Sequence, residues 1–294
     1  MRSAPLVLVV AGSLAALAPL HARQTPDAAA LIRAAAGYLE TYATNVTGTT
    51  LEEKYTLIEI SSGRMSTPLR IVSELVLLNP SGRVSSLRDA VSIDGARFPR
   101  TGPGIAALLD PPTLAGWDKA QARADSANRN FVSEIILYVN DPLMALHYVT
   151  PDTPSLFTHT IDGRKKINGV ETVGLRFAEI RKEDRAYTLK TRGNAAVAGR
   201  LWVEPATGAI HLTELTLDAK NETARVSVTY APDAALNVLL PSKLAGHYET
   251  RVQASGPTGF GAPNYGSSLK FQTNATYGGA KRRPIDLTKI RDGG

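Results

Sequence analysis

The sequence predicts a mainly β protein of the α+β class. Its core is a strongly curved antiparallel sheet or incomplete β-barrel, with an N-terminal helix and a helical insert or lid. Three observations carry that reading. Residues 199–217, GRLWVEPATGAIHLTELTL, read as two strands rich in Val, Ile, Leu, Thr and Trp around a Pro205-Ala206-Thr207-Gly208 turn. After Pro154, short strand patterns recur with turn signals between them, as in a curved sheet or partly closed barrel. Between two sets of strands, residues 102–149 carry helix formers instead.

The elements follow in order. Arg2 precedes an apolar run over 6–20 broken only by Ser13, and small residues follow with a cleavage site at Ala22. This three-part pattern predicts a secretory signal peptide over 1–22 and a periplasmic or secreted protein. Residues 27–46 place Leu31, Ala35, Tyr38 and Tyr42 on one helical face, after a Thr25-Pro26-Asp27 start signal. From Thr50 the period becomes β. Strands are expected at 51–60, with Leu51, Tyr55 and Leu57 on one side, then at 69–78 and 83–93. In the insert, helical pieces are expected at 105–109, 113–128 and 141–148. Further strands are expected at 156–161, 170–181, 187–191, 200–204, 209–218, 223–230, 242–253 and 269–277. Asp162-Gly163 and Gly193-Asn194 read as turns, 255–265 as a Gly/Pro-rich loop, and 281–294 as a flexible basic tail. No linker stands out, so 23–280 is expected to be a single domain.

Composition narrows the function classes. Aromatic residues are 6% of the chain, too few for a nucleic-acid platform of stacked rings, and no nucleic-acid partner is expected. The net charge of +6 favours acidic partners such as phospholipid head groups, against the plainer reading of a solvated surface. There is no Cys, which removes disulfides, thiol catalysis, Cys-based metal sites and a cysteine-linked lipid anchor.

The hairpin at 199–217 resembles the "G-x-hydrophobic-W-hydrophobic-acidic-P-x-T-G" hairpin of exported bacterial proteins with an outer-membrane lipoprotein-carrier-like half-barrel. INGVETVGLRFAE before it, and LRDAVSIDGARFPR and ADSANRNF upstream, resemble segments of a large family of exported bacterial proteins of that kind. The resemblance covers roughly 86–217. It implies a curved sheet wrapped around an apolar cavity with helices over the opening, and, for carriers, the shuttling of acyl chains. The carriers' arginine-bearing cavity motif has no residue-by-residue match in this chain, so no carrier site is transferred.

Chemistry is sparse. His147, His159, His211 and His247 are isolated, without metal-ligand spacing, and no metal or other cofactor is expected. His211, beside Thr213 on a strand, reads as a partly exposed sheet residue. Ser267 and Lys270 fit S-x-x-K only as a string, because i and i+3 of a strand face opposite sides. Glu52 and Glu53, and Glu179, Glu183 and Asp184, read as strand-edge or turn charges. Arg164-Lys165-Lys166 reads as a hairpin turn, with contact to a membrane surface as the sharper alternative. Val173, Leu175 and Phe177 form one apolar stripe, and Leu201 and Val203 another, with Trp202 on the opposite face. In a half-barrel such stripes are either packed core or the wall of a ligand cavity. The expectation is a non-catalytic protein that binds or carries an acyl-chain or other hydrophobic ligand on Val173, Leu175, Phe177, Leu201 and Val203. The alternatives are an exported hydrolase with a dispersed site and an envelope scaffold.

Overall fold

The computed structural model describes residues 27–61, 63–80, 82–99, 102–128, 140–149, 156–180, 187–189, 193–219, 221–252, 267–283 and 285–287. The expected signal peptide, the loop at 255–265 and the last residues of the expected tail lie outside them.

The chain opens with α1 (Ala28–Val46), then β1 (Thr49–Ser61), β2 (Arg64–Met65), β3 (Leu69–Leu78), β4 (Ser85–Ile93) and β5 (Ala96–Arg97). Two helices follow, α2 (Ile105–Leu108) and α3 (Leu114–Asn128), and later a 3-10 helix, Met144–Val149. The second set of strands is β6 (Phe157–Ile167), β7 (Val170–Glu179), β8 (Tyr187–Leu189), β9 (Gly193–Val203) and β10 (Ile210–Ala219). It ends with β11 (Glu222–Asp233), β12 (Val238–Val252) and β13 (Ser267–Arg282). The sheet runs β5-β4-β3-β1-β13-β12-β11-β10-β9-β7-β6, with β2 beside β1 and β8 beside β9. Every pairing is antiparallel. β5 and β6 end the path without meeting, so the protein is the expected mainly β, curved and unclosed barrel.

The core lies on the concave face. Asp27 caps α1 by accepting from the Ala30 amide at 2.6 Å. The helix then buries Leu31, Ala35, Leu39, Tyr42, Ala43 and Val46 against the sheet. On β1, Leu51, Tyr55 and Leu57 are buried as the alternation predicts, and Glu53 shares their face. The Pro205–Gly208 turn rests on α1. Gly208 has φ +76°, and a Cβ there would collide with the Ala34 carbonyl, so only glycine fits this turn against the helix.

Four expectations are corrected. The helical insert does not act as one lid. α2 and α3 pack on the outer face of β3 and β4, where Ile105, Leu109, Ala120 and Ala124 cover Val76, Leu78 and Leu87. The reason is in β3: Leu75 to Leu78 are all buried, so this strand needs cover on both faces. Asp89 fixes that outer layer by accepting from Arg123 Nε at 2.8 Å and from the Ile105 amide at 3.3 Å. Among the described residues of the insert, 140–149 are the ones that reach the concave side. Second, the chain from Lys281 is not tail throughout. β13 continues to Arg282, and Ile285 and Leu287 are buried with the outer helices. Third, the β6–β7 turn is Asn168-Gly169, with φ of 49° and 86°, a pair suited to a tight hairpin. Asp162-Gly163 sits instead at a bulge between Ile161 and Arg164, which places Arg164, Lys165 and Lys166 within the edge strand. Fourth, Gly193-Asn194 begins β9 and pairs with β8 rather than turning.

Candidate functional site

The five apolar residues singled out from the sequence form one wall. In the β7–β9 register, Val173 pairs with Val203 and Leu175 with Leu201, and Phe177 stands opposite Gly199. All five are at most 1% exposed. The Phe177 ring lies where a Gly199 side chain would be, so the strand bends closely over it. Trp202 points to the outer face as expected. It packs with Ile167 and Leu212, and the cations of Lys165 and Arg200 lie 5.4 and 5.3 Å from its ring centre.

Residues 140–149 cover this wall. Tyr148 stacks on Phe177 at 5.6 Å and meets Phe157 edge-on at 5.5 Å. Leu143, Leu146 and Val149 are buried in the same cluster.

Polar side chains deep in the sheet hold the cover. Arg88 on β4 and Glu53 on β1 form a two-point ion pair at 2.5 and 2.9 Å, with side chains 6% and 0% exposed. Burial alone would lower the Arg88 pKa, but the charge and hydrogen bonds of Glu53 outweigh it and hold it above the ordinary value. Arg88 Nη2 also donates to the Asn140 carbonyl at 2.9 Å. The Asn140 side chain donates to the Tyr55 hydroxyl and accepts from the Tyr248 hydroxyl, both at 2.8 Å. Tyr230 donates to the Pro142 carbonyl at 2.6 Å. Burial raises the pKa of all three tyrosines, so they stay neutral donors at physiological pH. Ser86 and the Leu143 amide both donate to Asp141 Oδ1, which fixes the turn of the cover. The sequence reading missed this cluster. Glu53 departs from the expected edge charge, because its place in the Leu51–Tyr55–Leu57 alternation puts it inside.

Two grooves lie elsewhere. One, of about 680 Å³, crosses the outer face of β7 and β9 to β12 and carries Arg176, Arg200, Arg225 and His247. Asp162 pairs with both Arg176 and Arg200, and Glu214 accepts from Arg200 at 3.2 Å. Those carboxylates offset two of the three guanidinium charges, which weakens any claim to be an anion site. The second, of about 360 Å³, lies between α1 and the tips of the β9–β10 and β11–β12 hairpins.

His211 lines the second groove. It is 5% exposed, so it is buried rather than a partly exposed sheet residue. It occupies a bulge between Ile210 and Leu212, which turns its side chain out of the strand alternation. Its Nε2 is 3.7 Å from Glu204 Oε2, beyond hydrogen-bond reach. His147 Nε2 bonds the Val84 carbonyl at 2.6 Å. Among the described residues, no group of three or more metal-ligating side chains converges.

No family model matches the chain, and no curated protein matches it. Among solved structures it is similar to a DUF1329 family protein from Desulfovibrio piger, at 9% identity and a TM-score of 0.39, covering 88% of this chain and 94% of that one. It is similar to a domain from Vibrio parahaemolyticus assigned to the outer membrane lipoprotein-sorting proteins, at 11% identity and a TM-score of 0.37, over 87% and 94% of the two chains. A LolA superfamily protein from Nitrosomonas europaea is similar at 10% identity and a TM-score of 0.31, over 90% and 97%.

Proposed function

We propose that the concave face binds an acyl chain or another long apolar ligand, with residues 140–149 as a displaceable cover. The protein is then a non-catalytic binding or carrier protein of the periplasm or the secreted space. One observation supports this most. The cover meets the Val173–Leu175–Phe177–Leu201–Val203 wall through apolar side chains, yet is tied to the sheet by hydrogen bonds converging on Asn140 and Pro142. Such a segment can leave as a unit and return to the same register.

The magnitudes allow the exchange. Withdrawing Leu143, Leu146, Tyr148 and Val149 gives up roughly 6–12 kcal/mol of apolar burial, at about 1.5–3 kcal/mol per side chain. A sixteen-carbon chain laid in their place recovers about 12 kcal/mol, at ~0.8 kcal/mol per methylene. The two are close enough for a ligand to displace the cover without unfolding the sheet.

Arg164, Lys165 and Lys166 on the edge strand form a basic run that an anionic membrane surface would attract. The test of the binding reading is saturable, one-to-one uptake of a fluorescent sixteen-carbon acyl probe by the mature chain. Absence of binding overturns it.

A further inference from the structure

Residues that line the groove between α1 and the two hairpin tips carry buried polar atoms without a partner among the described residues. Tyr38 and Tyr42 line it from α1, Glu204 and His211 from the β9–β10 hairpin, and Val238 and Leu239 from β12. Among the described residues, the hydroxyls of Tyr38 and Tyr42 and both ring nitrogens of His211 are buried without a hydrogen-bond partner. Tyr42 is 2% exposed and His211 5%. Native proteins leave few such groups, because each loses its water without compensation. Four around one groove mark a place where something else supplies the partners.

The lining says what kind of group that is. Among the described residues lining the groove none is Lys or Arg, and the one carboxylate is Glu204. A carboxylate or phosphate entering here meets Glu204 with no cation to offset the repulsion. A hydroxyl both donates and accepts, so it can accept a hydrogen bond from a phenol and donate one to Glu204 or to an imidazole nitrogen. Burial pushes the His211 pKa below its ordinary value, against the opposing pull of Glu204, so the ring is neutral at physiological pH and offers one donor and one acceptor. Tyr38, Val238 and Leu239 also pack against the main core, so the groove floor is the rim of the concave face.

We infer that this groove receives the head group of the apolar ligand, and that the head group is uncharged and hydroxyl-bearing. The inference rests on the acyl-chain reading above. A monoacylglycerol is the simplest molecule of this kind: its chain lies on the concave wall and its diol reaches Tyr38, Tyr42, Glu204 and His211.

The test uses the mature full chain and three probes with the same saturated sixteen-carbon chain: monopalmitoylglycerol, palmitate and hexadecylamine. Each is titrated below its micelle concentration, by displacement of a fluorescent acyl probe. The glycerol ester binds tightest, about tenfold over palmitate or more, which matches one to two hydrogen bonds gained and one repulsion avoided. Tyr38→Phe and Tyr42→Phe each remove an oxygen that has no partner among the described residues, so neither lowers the melting temperature. Each weakens the glycerol ester about fivefold, the worth of one hydrogen bond. Glu204→Gln, at a half-buried hairpin position, tightens palmitate. Equal or tighter binding of palmitate or of the amine overturns the head-group assignment and leaves the acyl reading standing. So do Phe variants that bind the glycerol ester as well as the parent does. If none of the three probes binds, the acyl reading falls and the head-group assignment falls with it.

Discussion

Arg88→Met is the sharpest probe of how the cover is held. The Glu53 carboxylate is fully buried, and its two-point partner is the Arg88 guanidinium at 2.5 and 2.9 Å. Removing one member of such a pair leaves an uncompensated buried charge and costs about 3–5 kcal/mol. In a chain of this size that lowers the melting temperature by roughly 6–20 °C, at about 2–4 °C per kcal/mol. The Asn140 carbonyl loses its charged donor as well, so the cover loosens beyond the general loss of stability. The double variant Glu53→Leu/Arg88→Met removes both charges and keeps the volume apolar. Replacing a whole buried pair in this way is close to neutral, so the double variant regains at least about 2 kcal/mol over the single one. Denaturant unfolding followed by far-UV circular dichroism measures all members of the cycle. A single variant costing less than about 1 kcal/mol, or a double variant costing the sum of the two singles, refutes the reasoning.

Gly208→Ala forces a side chain into a φ of +76° and against the Ala34 carbonyl; thermal melts should show a loss of about 2–4 kcal/mol. Burial lowers the pKa of both His159 and His211, so the unfolded chain binds protons first as pH falls. Their share of stability is therefore complete above about pH 6.5 and declines below it, and His159→Gln/His211→Gln should flatten the fall in melting temperature between pH 7.5 and 5. Trp202→Phe removes the indole bond to Glu214 and the better ring for Lys165 and Arg200, for a loss of about 1–2 kcal/mol by denaturant titration.

Local chemistry made most of the fold legible. The 199–217 hairpin, the helix after Asp27 and the alternation of β1 all follow from turn residues, a cap and a period that act within a few positions. The sequence alone does not place the β6–β7 turn, because Asp162-Gly163 and Asn168-Gly169 are both turn-forming pairs, and only cross-strand register decides between a bulge and a hairpin. The placement of α2 and α3 was hidden for a different reason: helical periodicity says which side of a helix is apolar, not which face of a sheet it meets. The wall residues were legible as alternating stripes. Arg88, Asn140 and Tyr248 were not, because they come together only through pairings between residues 52 and 108 positions apart. The doubly apolar end of β3 and the interior parity of Glu53 were the two signals in the sequence that pointed inward.

Hydrogen exchange of residues 140–149, measured with and without a saturating sixteen-carbon acyl ligand, addresses the displaceable cover most directly. If the ligand takes the concave wall, those amides exchange faster in the complex, while β7 and β9 are protected. Unchanged or slower exchange at 140–149 in a saturated complex means that the ligand binds elsewhere and that the concave face is a closed core.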